Sequence, residues 1–164
     1  MADKIRTERL LMRRAAMADA PAIHRIMSDP RALRYWSTPP HGNLAQTETW
    51  LRSMVEADPA ISDDFIVTLG GRVIGKLGAW QLPEIGFLIS PAEWGKGYAS
   101  EALSAFIEHR RALGSAALTA DVDLRNAGSL SLLARHGFTE THRATRTYQV
   151  NDEWCDSVYL ALPL

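Results

Sequence analysis

Residues 93–103 read EWGKGYASEAL: two glycines around a lysine, directly before a helical pattern. Glycine costs conformational entropy at a helix start, so Gly95 and Gly97 imply a need for bare backbone there. The first N–H groups of a helix have no partner within it, and they carry the positive end of its dipole. A strand that passes through a glycine turn into a helix therefore makes an anion cradle, and Lys96 could add a point charge. Phosphate or pyrophosphate is the natural ligand. The stretch is not a P-loop, because Gly97 rather than Ser or Thr follows Lys96. The dinucleotide fingerprint fails as well, since Ser100 stands where its last glycine belongs. The same two glycines would also serve a plain tight turn.

The elements that position this turn follow from hydrophobic period. Upstream, EIGFLI (84–89) is a short apolar run cut off by Pro91. Downstream, Ala99, Ala102, Leu103, Phe106 and Ile107 recur at spacings of three and four, which predicts a helix from Gly97 to Leu113 ended by Gly114. IRTERLLMRR (5–14) predicts one strand with Leu10 and Met12 on one face. Asp19 is the expected N-cap of a helix striped by Ile23, Ile26 and Met27, with Pro21 in its first turn and Asp29-Pro30 as its stop. A loop carrying Tyr35, Trp36 and His41 leads to a second helix from about Leu44 to Ala57, with Trp50, Leu51, Met54 and Val55 as its expected buried face. Two β-rich runs flank Gly70-Gly71, a hairpin signal. ALTADV reads as a strand, NAGSLSLLARHG as a short helix, and two last strands flank Asn151-Asp152. The order is β-α-α-β-β-β-α-β-α-β-β, a mixed α/β sheet in one domain.

A chain of 164 residues can bury roughly 70% of its unfolded surface, enough for a real core. The net charge is −1 and no basic patch is evident, so a nucleic-acid partner is not expected. The single cysteine, Cys155, excludes an intramolecular disulfide and paired-cysteine metal clusters. His24, His41, His109, His136 and His142 lack metal-ligand spacing, so no metal is expected. The N-terminus lacks the apolar run of a signal peptide, and no stretch nears the ~20 apolar residues of a membrane span. The expectation is a cytoplasmic protein without a membrane partner.

EIGFLISPAEWGKGYASEAL followed by NAGSLSLLARHGF resembles the GNAT superfamily of acetyl-CoA-dependent N-acyltransferases. Within it the likeness is to the Rim-type branch, the acetyltransferases of ribosomal-protein N-termini, and it runs from RTERLLMRR to DEWCDSVYLAL. The resemblance implies an α/β (α+β) fold: one GNAT domain over residues 1–164, with a mixed, mostly antiparallel sheet splayed at its centre and helices on both faces. The family's phosphate signature is Gln/Arg-x-x-Gly-x-Gly/Ala. Trp94 holds the first position, a departure familiar in the Rim-type branch, and Gly97 and Ala99 hold the others. By this resemblance, the backbone of Gly95, Lys96, Gly97, Tyr98 and Ala99 grips the pyrophosphate of acetyl-CoA. The pantetheine arm lies along Phe87, Leu88 and Ile89 like an added strand. Asn126 contacts the arm; it also reads as the N-cap of the helix that follows, and the two roles are compatible.

Direct acetyl transfer to an amine requires a neutral amine, donors for the developing oxyanion and a stabilised leaving thiolate. Glu84 resembles the glutamate that deprotonates the amine through water in this superfamily; the plainer reading is a solvated or ion-paired carboxylate at a strand start. A backbone N–H within 87–89 is implied for the oxyanion. Ser129 matches the Rim-type serine assigned to the thiolate. A thiol near pKa ~8.5 leaves readily, so a hydrogen bond or proton relay from this weakly acidic hydroxyl suffices. The alternative is an ordinary serine in a first helical turn. Tyr148 is another candidate acid, or simply packs in a strand, and Cys155 reads as a buried inert thiol. In relatives the loop holding Tyr35, Trp36 and His41 walls the acceptor pocket, although Trp36 could equally cap the core. That loop carries no carboxylate cluster of the kind a polycationic acceptor calls for. The expected activity is an acetyl-CoA-dependent N-acetyltransferase acting on a protein N-terminus or a small-molecule amine. The alternative is a non-catalytic CoA-binding regulatory module. Relatives are often dimers, and a homodimer stays open.

Overall fold

A computed structural model describes residues 3–164. The chain begins with β1 (Lys4–Arg6), β2 (Leu10–Arg13), α1 (Ala20–Met27) and α2 (Leu44–Val55). A meander follows: β3 (Asp63–Leu69), β4 (Arg72–Gln81) and β5 (Glu84–Ile89). Then come α3 (Tyr98–Ala112), β6 (Ala117–Asp123), α4 (Ala127–Arg135), β7 (Thr139–Val150) and β8 (Glu153–Pro163). All eight strands form one sheet in the order β1-β2-β3-β4-β5-β6-β8-β7. Every neighbouring pair is antiparallel except β5 and β6, which run parallel and meet in register only at Glu84 and Thr119. The sheet is therefore open beyond that point.

Alternation along β3 shows how the two faces are covered. Phe65 and Val67 belong to a core shared with Leu103 and Phe106 of α3 and Leu132 and Leu133 of α4. Ile66, between them, points the other way and packs with Ile23 and Met27 of α1 and Leu51 of α2. Helices thus cover both faces, as the resemblance implied. No helix among the described residues is long and apolar enough to cross a membrane.

Three local expectations are corrected. The strand expected over 5–14 is a hairpin, β1 and β2, with Ile5 opposite Met12. Thr7 turns the chain: its N–H donates to the Leu10 carbonyl at 3.0 Å, and its Oγ1 accepts the Leu10 N–H at 2.9 Å. Asp19 precedes α1 but does not cap it with its side chain. Its carboxylate instead accepts from Ala16 N–H at 2.9 Å and from the Arg13 guanidinium at 2.8 and 2.6 Å. In α2 the buried residues are Thr47 and Leu51, while Val55 is exposed. Thr47 is buried because its hydroxyl meets Nδ1 of both His24, at 2.6 Å, and His41, at 2.8 Å.

The start of β3 is anchored by charge. Asp63 is fully buried and takes hydrogen bonds from Arg14 Nη2 at 2.8 Å, Arg110 Nη1 at 2.7 Å and His109 Nε2 at 2.9 Å. Burial alone would raise its pKa, but the bonds from Arg110, Arg14 and His109 outweigh burial and hold the carboxyl below its ordinary value. A carboxylate depressed in this way contributes stability above its unfolded pKa, near ~3.9, and loses it as pH falls through the lower folded value. Removing one partner of a buried ionic cluster costs about 3–5 kcal/mol. Asp63→Asn should therefore lower the unfolding free energy by about 3 kcal/mol at neutral pH in urea titrations, with the deficit vanishing in strong acid. A deficit below about 1 kcal/mol, or one that does not depend on pH, would contradict this.

Candidate active site

The glycine turn begins where β5 ends. The indole N–H of Trp94 donates to the Ile89 carbonyl at 2.8 Å, fastening the turn to the last strand residue. Gly95 and Gly97 have φ of 74° and 82°, left-handed conformations that a side chain disfavours, and this is why glycines stand here. Gly97 is the N-cap of α3, whose first helical bond runs from Glu101 N–H to the Gly97 carbonyl at 3.0 Å. The first N–H groups of α3 are left without helical acceptors. The β1–β2 hairpin braces this helix end. Glu101 accepts from Thr7 Oγ1 at 2.5 Å and from Arg9 Nε at 2.6 Å, and the Arg9 guanidinium lies 4.6 Å from the Tyr98 ring centre.

Lys96 does not reach into the cavity in front of these amides. Its ammonium binds Glu93 Oε2 at 3.0 Å and the Ala92 carbonyl at 3.1 Å. Hydrogen bonds from Lys96 and then Arg72 keep the Glu93 carboxyl below its ordinary value. The lysine thus pins the turn, and only its backbone remains for an anion.

Two cavities meet on β5. The first, about 700 Å³, is walled by Phe87, Leu88 and Ile89 on one side and by Trp94, Gly95, Gly97, Tyr98 and Ala99 on another. Asn126, just before α4, and Ser129 in its first turn also line it. The Asn126 side chain accepts from Ser129 N–H at 3.2 Å, so it caps α4 as the capping reading expected, and it lines the first cavity. The second cavity, about 690 Å³, is walled by Glu84, Ile85 and Gly86. Tyr35 and Trp36 line both cavities, and His41 lines the second. Burial and the nearby His24 lower the His41 pKa, and its ring is tied to Thr47.

The second cavity has a hollow floor for a reason visible in the register. Asp64, Gly78 and Gly86 lie side by side across β3, β4 and β5, so two positions in that row carry no side chain. The cavity also gathers carboxylates that the loop alone did not announce: Asp64 from β3, Glu84 from β5, and Asp121 and Asp123 from β6. Thr119 stands opposite Glu84, and Asp121 lies two residues further on, so Asp121 and Glu84 leave the same sheet face. The alternating acids of TADVD were the available signal, but only strand pairing puts them beside Glu84. Glu84 Oε1 accepts from the Trp80 indole at 3.1 Å. Asp64 and Lys76, both buried, pair at 2.6 Å; burial pushes the Asp64 carboxyl up against the pull of the ammonium.

The chain matches the family model described as Acetyltransferase (GNAT) domain over residues 9–139. The uncharacterized N-acetyltransferase p20 of Bacillus licheniformis is 28% identical over 137 residues, 77% of each chain. A crystal structure of a GNAT-family acetyltransferase from Bacillus anthracis superposes with a TM-score of 0.84 at 24% identity, covering 98% of each chain. RimL, a ribosomal L7/L12 α-N-protein acetyltransferase solved in complex with coenzyme A, superposes with a TM-score of 0.87 at 18% identity over 98% of each chain.

At the far wall of the second cavity the Tyr148 hydroxyl donates to Asp123 Oδ2 at 2.8 Å, and Arg125 Nη2 reaches the same oxygen at 2.8 Å. Burial first, and then this bond to a carboxylate, push the phenol pKa up. A phenol so held is a poor proton donor to a thiolate. In an absorbance titration, the difference between wild type and Tyr148→Phe should show no tyrosinate step near pH ~10. A step there assignable to Tyr148 would contradict this wiring.

Proposed function

The chain belongs to the GNAT acetyltransferase domain family, an acetyl-CoA acetyltransferase fold, and on that premise we propose that it transfers acetyl directly from acetyl-CoA to the primary amine of a protein N-terminus or small molecule. One observation carries the reading. β5 serves two cavities, with Phe87–Ile89 lining one and Glu84–Gly86 the other. A thioester in the first and an amine in the second would meet at the middle of one strand, which is the positioning that makes a bimolecular step fast.

In this reading the diphosphate of CoA sits against the amides from Gly95 to Ala99, where backbone donors and the α3 dipole favour an anion. The pantetheine arm lies along Phe87, Leu88 and Ile89 on the open edge of β5, and Asn126 adds a contact. Glu84 takes the amine's proton, directly or through one water. It is suited to this because it faces the acceptor cavity and is held by a neutral indole donor. Amines start near pKa ~8 at an α-amino group and ~10 on lysine, so proton removal is a real requirement at neutral pH. A β5 backbone N–H stabilises the oxyanion as the C–N bond forms. The C–S bond then breaks, and Ser129, at the cofactor cavity wall, donates a hydrogen bond to the departing sulfur. Tyr35, Trp36 and His41 form the acceptor wall.

Thermal unfolding with acetyl-CoA or ATP, followed by thiol release against a panel of amines and N-terminal peptides, tests this. Stabilisation by the thioester alone together with amine-dependent thiol release is expected. Stabilisation without release on any amine would favour a regulatory CoA-binding module instead. Glu84→Gln should lower turnover about 10²-fold or more while the thermal shift with acetyl-CoA persists. Unchanged turnover would remove Glu84 from the role of base.

A further inference from the structure

We propose that Trp36 sets the length of acyl chain that the donor thioester can carry, an inference that rests on the acetyl-CoA reading above. Among the described residues, only Tyr35 and Trp36 line both cavities. β5 passes from one cavity to the other between Gly86 and Phe87, and the thioester carbonyl must lie at that change-over for an amine to reach it. The outer end of the Trp36 indole is already there: its Cη2 lies 3.8 Å from the position a β-carbon would take on Gly86. Glycine at 86 makes room, and the indole occupies part of it.

The ring is held from behind. The Trp36 backbone N–H donates to the Leu33 carbonyl at 3.1 Å, and the side chain packs against the core formed by Leu33, Leu51, Ile66 and Leu88. The Lys76 ammonium, fixed by Asp64 at 2.6 Å, lies 6.0 Å from the ring centre. Close-packed surroundings do not yield freely to added methylenes. With the thioester carbonyl at that change-over, acyl carbons beyond the acetyl methyl run toward the indole, and a longer chain must displace it.

Binding tests this without knowledge of the acceptor. Acetyl-, propionyl- and butyryl-CoA are titrated calorimetrically into wild type, Trp36→Phe and Trp36→Ala. Wild-type affinity should fall about tenfold or more from acetyl to butyryl, a cost of the size overpacking imposes. Trp36→Ala should bring the two within about threefold, with Trp36→Phe between, because the site then holds the added carbons. The butyryl-to-acetyl ratio cancels any general loss of cofactor affinity. Should Trp36→Ala lack a cooperative thermal transition, Trp36→Phe and Trp36→Leu carry the comparison. Equal affinities in wild type, or a wild-type ratio kept by folded Trp36 variants, would overturn the proposal. Folded wild type that binds no thioester would instead defeat the donor reading itself.

Discussion

Pairing between β5 and β6 stops after one register position, Glu84 opposite Thr119, and the rest of the site depends on that interruption. A parallel pair that continued would join the two halves of the sheet and fill the space between them. Because it stops, the edge of β5 faces a cavity, and backbone groups on such an edge need a partner. The turn that follows places glycine amides and a helix N-terminus at the end of the same edge. An extended arm ending in a diphosphate suits both features at once. The antiparallel strands on either side hold the opening in place, since β4 pairs along β5 and β8 pairs along β6.

Charge arrangement separates scaffold from site. Asp63 is surrounded by Arg14, His109 and Arg110, and Glu93 by Arg72 and Lys96. Asp123 is bound by Arg125 and Tyr148, and Asp64 by Lys76. Each of these carboxylates has a cation at hydrogen-bond distance and serves to hold elements together. Glu84 is held by the neutral Trp80 indole instead.

Much of this was legible in the chain itself. The glycine turn, the helix after it and the Gly70-Gly71 hairpin are local patterns, and each lies where spacing put it. Asn126 could be read as a cap because capping acts over three residues. What spacing did not show has specific causes. Spacing alone offered Lys96 as a point charge for an anion, and it did not show that the Lys96 ammonium is held by Glu93 and the Ala92 carbonyl one turn earlier. The turn at Thr7 escaped notice because a side-chain hydroxyl, not Gly or Pro, makes it. The carboxylates of the second cavity come from three strands distant in sequence, and only register shows that they share a face.

The central claim is that one open strand edge and the glycine turn beyond it together receive the thioester carrier. Backbone amide hydrogen exchange, with and without saturating acetyl-CoA, tests it most directly. Slowed exchange is expected in two segments, 87–89 and 95–99, with little change at the far sheet edge formed by β7. Protection confined to other segments, or unchanged exchange in both of these at saturation, would contradict it.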